Sequence, residues 1–366
     1  MPTRSLRRPA ASFSPCGSPF AAFLTVAGLG VVGLLAGCPP ADVMVDDPLV
    51  GGVPELGPAE GFSVHIAPFD VPPGVETQDC YFIEVPDLNA GADIFIDRFT
   101  MGQRTGSHHM NVFRVNSIHN LSGQPGDVVR GGECRISVNW SDWPLVVNSQ
   151  ESSVDEPVVD WQLPAGVAQR FHPHELLMVQ SHYVNADLQS SPSGGEVRIN
   201  FYRSTHENPV EMGSLFATQQ SIRICEHGPV EQLYTGTCSF PSGADVHIVA
   251  ANGHFHSRGR TFEMFTWDGL TLDPPPEEAL FYRSANWNEP EMAINLDAQV
   301  PSGGGVWWNC DYEWQEPLAG CASVNERDPL QANDCCYTFG NSAEDAEHCN
   351  AFIYYYPKLE SDVFCN

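Results

Sequence analysis

The chain has 366 residues, of which 42% are hydrophobic, so it is long enough for a sizeable core and indicates a globular protein. Seventeen Lys and Arg residues stand against 46 Asp and Glu residues, a formal net charge of −29. A surface this acidic repels nucleic acid and attracts cations, so we expect no nucleic-acid partner. Because such a charge is often a general bias of a proteome, it identifies no partner by itself.

The N-terminal segment is typical of a bacterial lipoprotein signal. Three arginines precede an apolar run over residues 20–35, and the small residues Ala36 and Gly37 stand directly before Cys38. Such a cysteine is lipidated and the preceding segment is removed. The run is shorter than the ~20 residues that a transmembrane helix needs. We therefore expect residues 1–37 to be a signal peptide and the exported protein to be anchored to the membrane of the bacterial cell envelope through lipid on Cys38. The proline after this cysteine favours the outer membrane.

Ten of the twelve cysteines lie beyond residue 38. An even number of cysteines in an exported protein predicts up to five disulfide bonds. The alternative is a cysteine-rich zinc site. The chain contains no Cys-x-x-Cys, and the adjacent Cys335 and Cys336 are a poor metal clamp, so disulfides are the better interpretation.

Residues 38–60 are rich in Pro, Gly and Asp and show no apolar periodicity, which predicts a flexible tether. Beyond residue 60, short runs of β-branched and aromatic residues, separated by Gly and Pro, predict an all-β protein. Many short strands over this length favour two β-sandwich domains, over residues 61–205 and 206–366. The predicted strands are Phe62–Phe69, Tyr81–Val85, Ile94–Phe99, Met110–Val115, Leu176–Val184, Val197–Tyr202, Val246–Ala250, Phe262–Trp267, Val306–Trp314 and Phe352–Tyr356.

Several of the thirteen histidines stand in short motifs. In a strand, residues i and i+2 project from the same face, so His254 and His256 can hold one metal ion. Adjacent residues normally face opposite sides, so His108 and His109 can share an ion only at a strand end or irregularity, or through different ring nitrogens. Imidazole binds copper, zinc, iron and nickel, so the residue type does not select the metal.

A single His-x-His or His-His pair is more often structural than metal-binding. A second His-x-His is present at His172 and His174. Composition does not rank it below the pair at His254 and His256, although the proline between its two histidines disfavours a regular strand.

Over residues ~62–366 the sequence resembles the copper type II, ascorbate-dependent monooxygenases, which include the peptidylglycine α-hydroxylating enzymes and dopamine β-hydroxylase. Four motifs match in order along ~240 residues, although each is weak alone. They are His108-His109-Met110, Gln180-Ser181-His182-Tyr183, His254-Phe255-His256 and Glu347-His348-Cys349-Asn350 before an aromatic strand.

The resemblance implies two jelly-roll-like antiparallel β-sandwiches, each with one copper ion, facing each other across a solvent-filled cleft. It assigns the electron-storing copper to His108, His109 and His182. It assigns the oxygen-activating copper to His254 and His256, with His348 aligned at the third ligand position. It also implies the disulfides Cys310–Cys349 and Cys238–Cys365, whereas the other six cysteines are not assigned to pairs.

The sequence departs from the family at three positions. The family has a methionine where this chain has His348. A thioether is a soft ligand that favours Cu(I), whereas imidazole is a stronger donor that protonation removes and that also accepts zinc. The alternative is that His348 points away and leaves two histidines and water. Asn252 replaces an arginine that grips a substrate carboxylate, and Phe352 replaces a tyrosine, which argues against glycine-extended peptides as substrates.

Two functional hypotheses follow. The first is an enzyme that uses two copper ions, O2 and an external reductant such as ascorbate to hydroxylate an unactivated C–H bond of a small molecule. The second is a non-catalytic copper-binding or redox lipoprotein of the cell envelope, in which His348 marks a loss of catalysis.

Overall fold

The computed structural model describes residues 53–116, 123–132, 134, 143–152, 158–185, 193–229, 232–241, 243, 245–271, 273–315, 326–327, 335–361 and 363–366. The predicted signal peptide, Cys38 and most of the predicted tether lie outside these residues. Within them, no helix has the length and apolar character needed to cross a membrane.

The chain is already packed before the predicted end of the tether at residue 60. Val53 is buried, the Pro54 carbonyl accepts a hydrogen bond from Asn200, and the Leu56 amide donates to Ser63 Oγ at 2.9 Å. The folded part therefore includes residues 53–60. The prediction of a flexible tether over residues 38–60 is corrected at its C-terminal end.

The first half of the described chain, residues 53–211, forms two largely antiparallel sheets. The first sheet has the order β1-β10-β3-β8-β11, with β7 also paired to β3, and the second has the order β5-β2-β9-β4-β6. The strands are β1 (Gly61–Val71), β2 (Val75–Glu84), β3 (Ile94–Gln103), β4 (Ser107–Arg114), β5 (Val128–Arg130), β6 (Leu145–Ser149), β7 (Val158–Gln162), β8 (Val167–Phe171), β9 (Leu176–Asn185), β10 (Ser193–Arg203) and β11 (Val210–Glu211).

The second half, residues 212–366, forms three sheets. The third sheet has the order β18-β15-β22-β12-β23, the fourth β14-β19-β16-β17, and a small fifth β13-β21-β20. The strands are β12 (Gly213–Thr218), β13 (Arg223–Cys225), β14 (Gln232–Ser239), β15 (Val246–Phe255), β16 (Gly259–Trp267), β17 (Leu280–Ser284), β18 (Ala293–Val300), β19 (Gly305–Tyr312), β20 (Glu326–Arg327), β21 (Cys335–Thr338), β22 (Cys349–Tyr356) and β23 (Val363–Cys365), with a 3-10 turn at Glu277–Ala279.

The all-β prediction is confirmed, and each of the ten predicted strands overlaps an observed one. The described residues belong to one compact unit, so the two halves pack directly on each other. The predicted boundary at residues 205 and 206 stays a prediction. The strand that follows it, β11, pairs in parallel with β8 of the first half.

The third sheet is a middle layer between two hydrophobic cores. Along β22, Phe352 and Tyr354 belong to the core of the first half, whereas Ile353 and Tyr355 belong to the core of the second. Successive side chains of a strand point to opposite faces, so this strand is buried on both sides. Such burial explains its nearly continuous apolar sequence, which differs from the alternation of a half-exposed strand.

Four disulfide bonds join described cysteines: Cys80–Cys134, Cys225–Cys336, Cys238–Cys365 and Cys310–Cys349. The last two are the pairs that the family resemblance implies. The Cys310–Cys349 bond ties β19 of the fourth sheet to the first residue of β22, directly after His348.

We expect the paired substitution Cys310→Ser with Cys349→Ser to destabilise the protein. In the chain-entropy description, a disulfide closing a loop with a sequence separation of 39 contributes roughly 4 kcal/mol to the free energy of unfolding. Urea unfolding of the oxidised proteins measures this difference. An unchanged unfolding midpoint would contradict it, and the single variants are avoided because each leaves a free thiol.

Candidate metal centre

The first histidine triad is built by two neighbouring strands of the second sheet. The register of β4 and β9 places His109 opposite His182, and it is irregular between Ser107 and His109. This is the irregularity that an adjacent His-His pair needs if both rings are to reach one site. One ring nitrogen from each of His108, His109 and His182 lies within 4.8 Å of the others, so the three can hold a metal ion together.

The second histidine group lies at one end of the third sheet. His254 on β15 is opposite Asn350 on β22, and the same register, continued past the strand ends, brings His256 level with His348. The ring centroids of His254 and His256 are 5.1 Å apart, and those of His256 and His348 are 4.4 Å apart. His348 therefore points into the group, unlike the alternative in which it turns away.

The two groups touch each other. The ring centroid of His108 lies 4.9 Å from that of His254 and 5.4 Å from that of His256. His108 can also hold a metal ion together with His254 and His256. The geometry differs from the implied solvent-filled cleft, because the rings of the two halves are in contact. The cavity beside them, of about 20 Å³, has room for about one water molecule.

All six histidines are buried, with exposed fractions between 1% and 8%. Burial disfavours the charged imidazolium, and it lowers the pKa of His108, His109, His254 and His348 well below the ordinary value. It lowers the pKa of His256 to about 4. These five rings are therefore neutral at neutral pH, which is the form that binds metal ions.

Side-chain acceptors orient two rings of the first triad. Glu76 Oε1 lies 2.7 Å from His182 Nε2, and Gln180 Oε1 lies 3.1 Å from His109 Nε2. Each acceptor places the ring proton on Nε2 and leaves the Nδ1 lone pair free. The two Nδ1 atoms face each other at 3.4 Å, so both lone pairs point to the same place.

Two further acceptors orient rings of the second group. The Ala346 carbonyl oxygen lies 2.9 Å from His256 Nδ1, and a carbonyl accepts only, so this ring carries its proton on Nδ1. Gln150 Oε1 lies 2.6 Å from His254 Nδ1. The sequence analysis assigned none of these four acceptors to a histidine. Gln180 lies two residues before His182 on the same strand face, so the strand pattern could have indicated it. Gln150 and Glu76 are distant in the chain from the histidines they contact, so no local pattern indicates them.

Within the cluster of six histidines, three ring nitrogens have no hydrogen-bond partner among the described residues. They are the Nε2 atoms of His108, His256 and His348. A buried polar atom without a partner costs about 1–3 kcal/mol, and native proteins rarely keep several together. Three unpartnered ring nitrogens in one cluster are the arrangement that a metal ion would satisfy.

A buried carboxyl joins the segments that carry His256 and His348. Glu347 accepts hydrogen bonds from the backbone amides of His256, at 2.9 Å, and Arg258, at 2.8 Å. Burial raises the pKa of Glu347 to about 8. The Arg258 guanidinium lies 3.9 Å from the centroid of the Tyr337 ring. These contacts hold the ends of β15 and β22 in register beside the cluster.

The second His-x-His pair is not part of the cluster. His172 Nδ1 lies 2.7 Å from Asp93 and His174 Nδ1 lies 2.8 Å from Glu84, and both side chains are exposed. Each ring is hydrogen-bonded to its own carboxylate at the surface, so the two histidines do not converge on one site.

Comparisons with known proteins identify no family. No protein-family model matches the chain, and no curated protein matches it. Among solved structures, the PBSX exported protein XepA is 9% identical, with 71% of this chain and 89% of that chain covered and a TM-score of 0.19. The CBM22-1-CBM22-2 tandem domain of Paenibacillus barcinonensis Xyn10C is 12% identical, with 79% and 82% covered and a TM-score of 0.19. Likenesses at this level carry no functional argument.

We expect the metal-free protein to lose stability as the pH falls from 7 to 5. The five histidines with a lowered pKa stay neutral in the folded state but take up protons in the unfolded chain below about pH 6.5. The unfolded state then binds more protons, so the free energy of unfolding falls, by at most about 1.4 kcal/mol per pH unit for each histidine. Glu347 has the opposite effect on the free energy of unfolding, because its raised pKa keeps the carboxyl protonated in the folded state. This single carboxyl offsets one of the five imidazoles, so the net result is still a loss of stability.

Urea unfolding of chelator-treated protein at pH 7, 6 and 5 measures this slope. His256→Gln removes one of the buried imidazoles and reduces the slope, whereas Gln169→Leu, which removes a buried side chain that does not titrate, leaves it unchanged. A free energy of unfolding that stays constant over this pH range would contradict the argument.

Proposed function

We propose that this protein is a copper-dependent monooxygenase, which uses O2 and an external reductant such as ascorbate to hydroxylate a C–H bond of a small molecule. The main support for a metal site is that six buried histidines converge and that three of their ring nitrogens have no hydrogen-bond partner among the described residues. The choice of copper and of hydroxylation is supported by the order of the four sequence motifs, which supply all six histidines.

The donor set fits copper. Imidazole nitrogen binds both copper and zinc, but zinc does not change its oxidation state, so of these two ions copper is the one that would carry out a redox reaction here. The two groups lie in one buried cluster, where electron transfer between two bound ions would need no protein movement. The described residues offer no cysteine thiolate there, because the cysteines nearest the cluster, such as Cys349, are disulfide-bonded.

The number of lone pairs on the histidine rings limits how the six histidines can be divided between two metal ions. A neutral imidazole has one free lone pair, so His108 can serve only one ion at a time. If His108 joins His109 and His182, the second ion needs His348 beside His254 and His256 to have three ligands. Two ions with three histidines each thus require the six residues that the sequence motifs supply.

Bound copper would supply electrons to O2 one at a time. The protein's own groups prepare the site. Glu76, Gln180, Gln150 and the Ala346 carbonyl hold four rings by their N–H groups, so each ring presents one lone pair and loses little freedom on binding. Phe113 and Phe352 line the cavity together with the histidines, and these apolar rings narrow the space beside the metal ligands.

The second candidate is a non-catalytic copper-binding or redox protein. The small cavity favours it, because about 20 Å³ accommodates no organic substrate beside the histidines. The replacement of the family's methionine by His348 also favours it, since a third imidazole binds Cu(II) more strongly than a thioether does.

We also propose that the protein is exported and carries lipid on Cys38. The disulfide bonds between described cysteines support export, because such bonds persist in oxidising compartments. The lipid anchor itself is supported by the sequence motif before Cys38 alone.

We expect the purified protein to bind two copper ions per chain. His256→Ala removes one ligand of the second site and should reduce the copper retained after desalting to about one ion per chain. His174→Ala, at an exposed histidine outside the cluster, should retain two. Metal analysis measures both, and a wild-type protein that retains no copper, or only zinc, would contradict the proposal.

Catalysis is tested with copper-loaded protein, ascorbate, 18O2 and a panel of small apolar and aromatic substrates. Incorporation of one labelled oxygen atom supports the monooxygenase, and its absence from every product supports the non-catalytic candidate. We expect His348→Met to raise oxygen consumption under reductant at least several-fold, because a thioether favours Cu(I). Oxygen consumption that is unchanged or lower in this variant would contradict that role of His348.

A further inference from the structure

Gln150 connects the two halves of the molecule at the metal centre. It follows β6 of the first half, is completely buried, and reaches β15 of the second half. Its Oε1 lies 2.6 Å from His254 Nδ1, while its Nε2 donates to Asn252 Oδ1 and, at 3.2 Å, to the Gly253 carbonyl oxygen. Both ends of the amide are therefore engaged.

The orientation of this amide follows from its partners. The Gly253 carbonyl accepts hydrogen bonds and donates none, so the nitrogen of the Gln150 amide must face it. The oxygen then faces His254 Nδ1, which must carry the ring proton in order to donate. The remaining lone pair of His254 is on Nε2, which lies 3.1 Å from His348 Nδ1, inside the second group.

Asn252 holds Gln150 in this orientation. Asn252 Nδ2 donates to the carbonyl oxygens of Pro290, at 3.1 Å, and Glu291, at 3.3 Å, so Asn252 Oδ1 faces the first half. That oxygen accepts from Gln150 and, at 3.2 Å, from Asn148 Nδ2. Backbone carbonyls of the second half thus determine, through two amides, which nitrogen of His254 carries the proton.

We propose that Gln150 is a positioning residue for the second metal site. Gln150 holds the His254 proton on Nδ1 and thereby directs the lone pair of His254 Nε2 to the metal. The inference rests on the histidine cluster being the metal site proposed above. The second site is then incomplete without the first half of the chain, because one of its ligands takes its orientation from a residue that the first half carries.

The same hydrogen-bond network gives Asn252 a structural role at the position where the family has an arginine. The resemblance places there an arginine that grips a substrate carboxylate, but Asn252 is completely buried and its amide is engaged on both sides by protein groups. In this chain the position orients a ligand from inside the protein. A carboxylate of a substrate would find no free donor on Asn252.

The first test is the tautomer of His254 in metal-free protein, measured from the 15N shifts of its ring nitrogens at neutral pH. The signal is assigned by its loss in His254→Ala. We expect the proton on Nδ1 in the wild type and in Gln150→Glu, which keeps an acceptor oxygen. We expect it to move in part or completely to Nε2 in Gln150→Leu. A wild-type proton on Nε2, or an unchanged tautomer in Gln150→Leu, would overturn the proposal.

The second test is the affinity for Cu(I), measured by competition with a chromogenic chelator. Residues that orient metal ligands typically change affinity about 10–100-fold when they are replaced, so we expect a loss of this size at one of two sites in Gln150→Leu. The control is Gln169→Leu. Gln169 is a buried glutamine of the first half that donates to the Val146 carbonyl oxygen at 2.7 Å, and its loss should leave the affinity unchanged.

The two tests separate this inference from the proposed function. If the wild-type protein binds no copper, the proposed function fails, but the tautomer measurement still decides the role of Gln150. If copper binds and Gln169→Leu weakens it as much as Gln150→Leu does, the effect is general destabilisation and the positioning role is wrong.

Discussion

Six imidazole side chains buried in one cluster are the constraint on which the rest of this structure depends. Burial disfavours a charged imidazole, and its N–H group must find an acceptor, since an unpaired buried donor costs about 1–3 kcal/mol. Glu76, Gln180, Gln150 and the Ala346 carbonyl provide acceptors for four rings. With those four protons placed, the lone pair of each of these rings lies on its other nitrogen, inside the cluster. The candidate metal site follows from the way in which the polar atoms of these rings are satisfied.

The middle sheet brings the two histidine groups to one place. Its strand β22 is buried on both faces, with alternate residues in the cores of the two halves. His348 stands at the start of this strand, and the disulfide from Cys349 to Cys310 holds that start against the fourth sheet. Because the same sheet packs on the first half, its histidine end lies against the triad of β4 and β9. A change in how the halves pack would therefore alter both histidine groups at once.

Contact between the two groups gives them a shared environment. His108 lies close enough to join either group. All six rings are buried, which lowers the local dielectric and strengthens the electrostatic interactions among them. Two metal ions bound here would each influence the potential and the ligand set of the other. If His348 completes the second group, His108 is left to complete the first triad.

The sequence by itself determined the strand-rich fold and the six histidines. These features are local: period-two alternation, β-branched runs between Gly and Pro, and short motifs whose spacing places two residues on one strand face. It also implied two disulfides, through the resemblance of ordered motifs. Only the tertiary structure decided that the two histidine groups touch, that His348 points inward, and that Gln150 and Asn252 join the halves. Those facts depend on contacts such as Gln150 to His254, about a hundred residues apart in the chain. No local pattern encodes such a contact, because it arises from how two sheets pack.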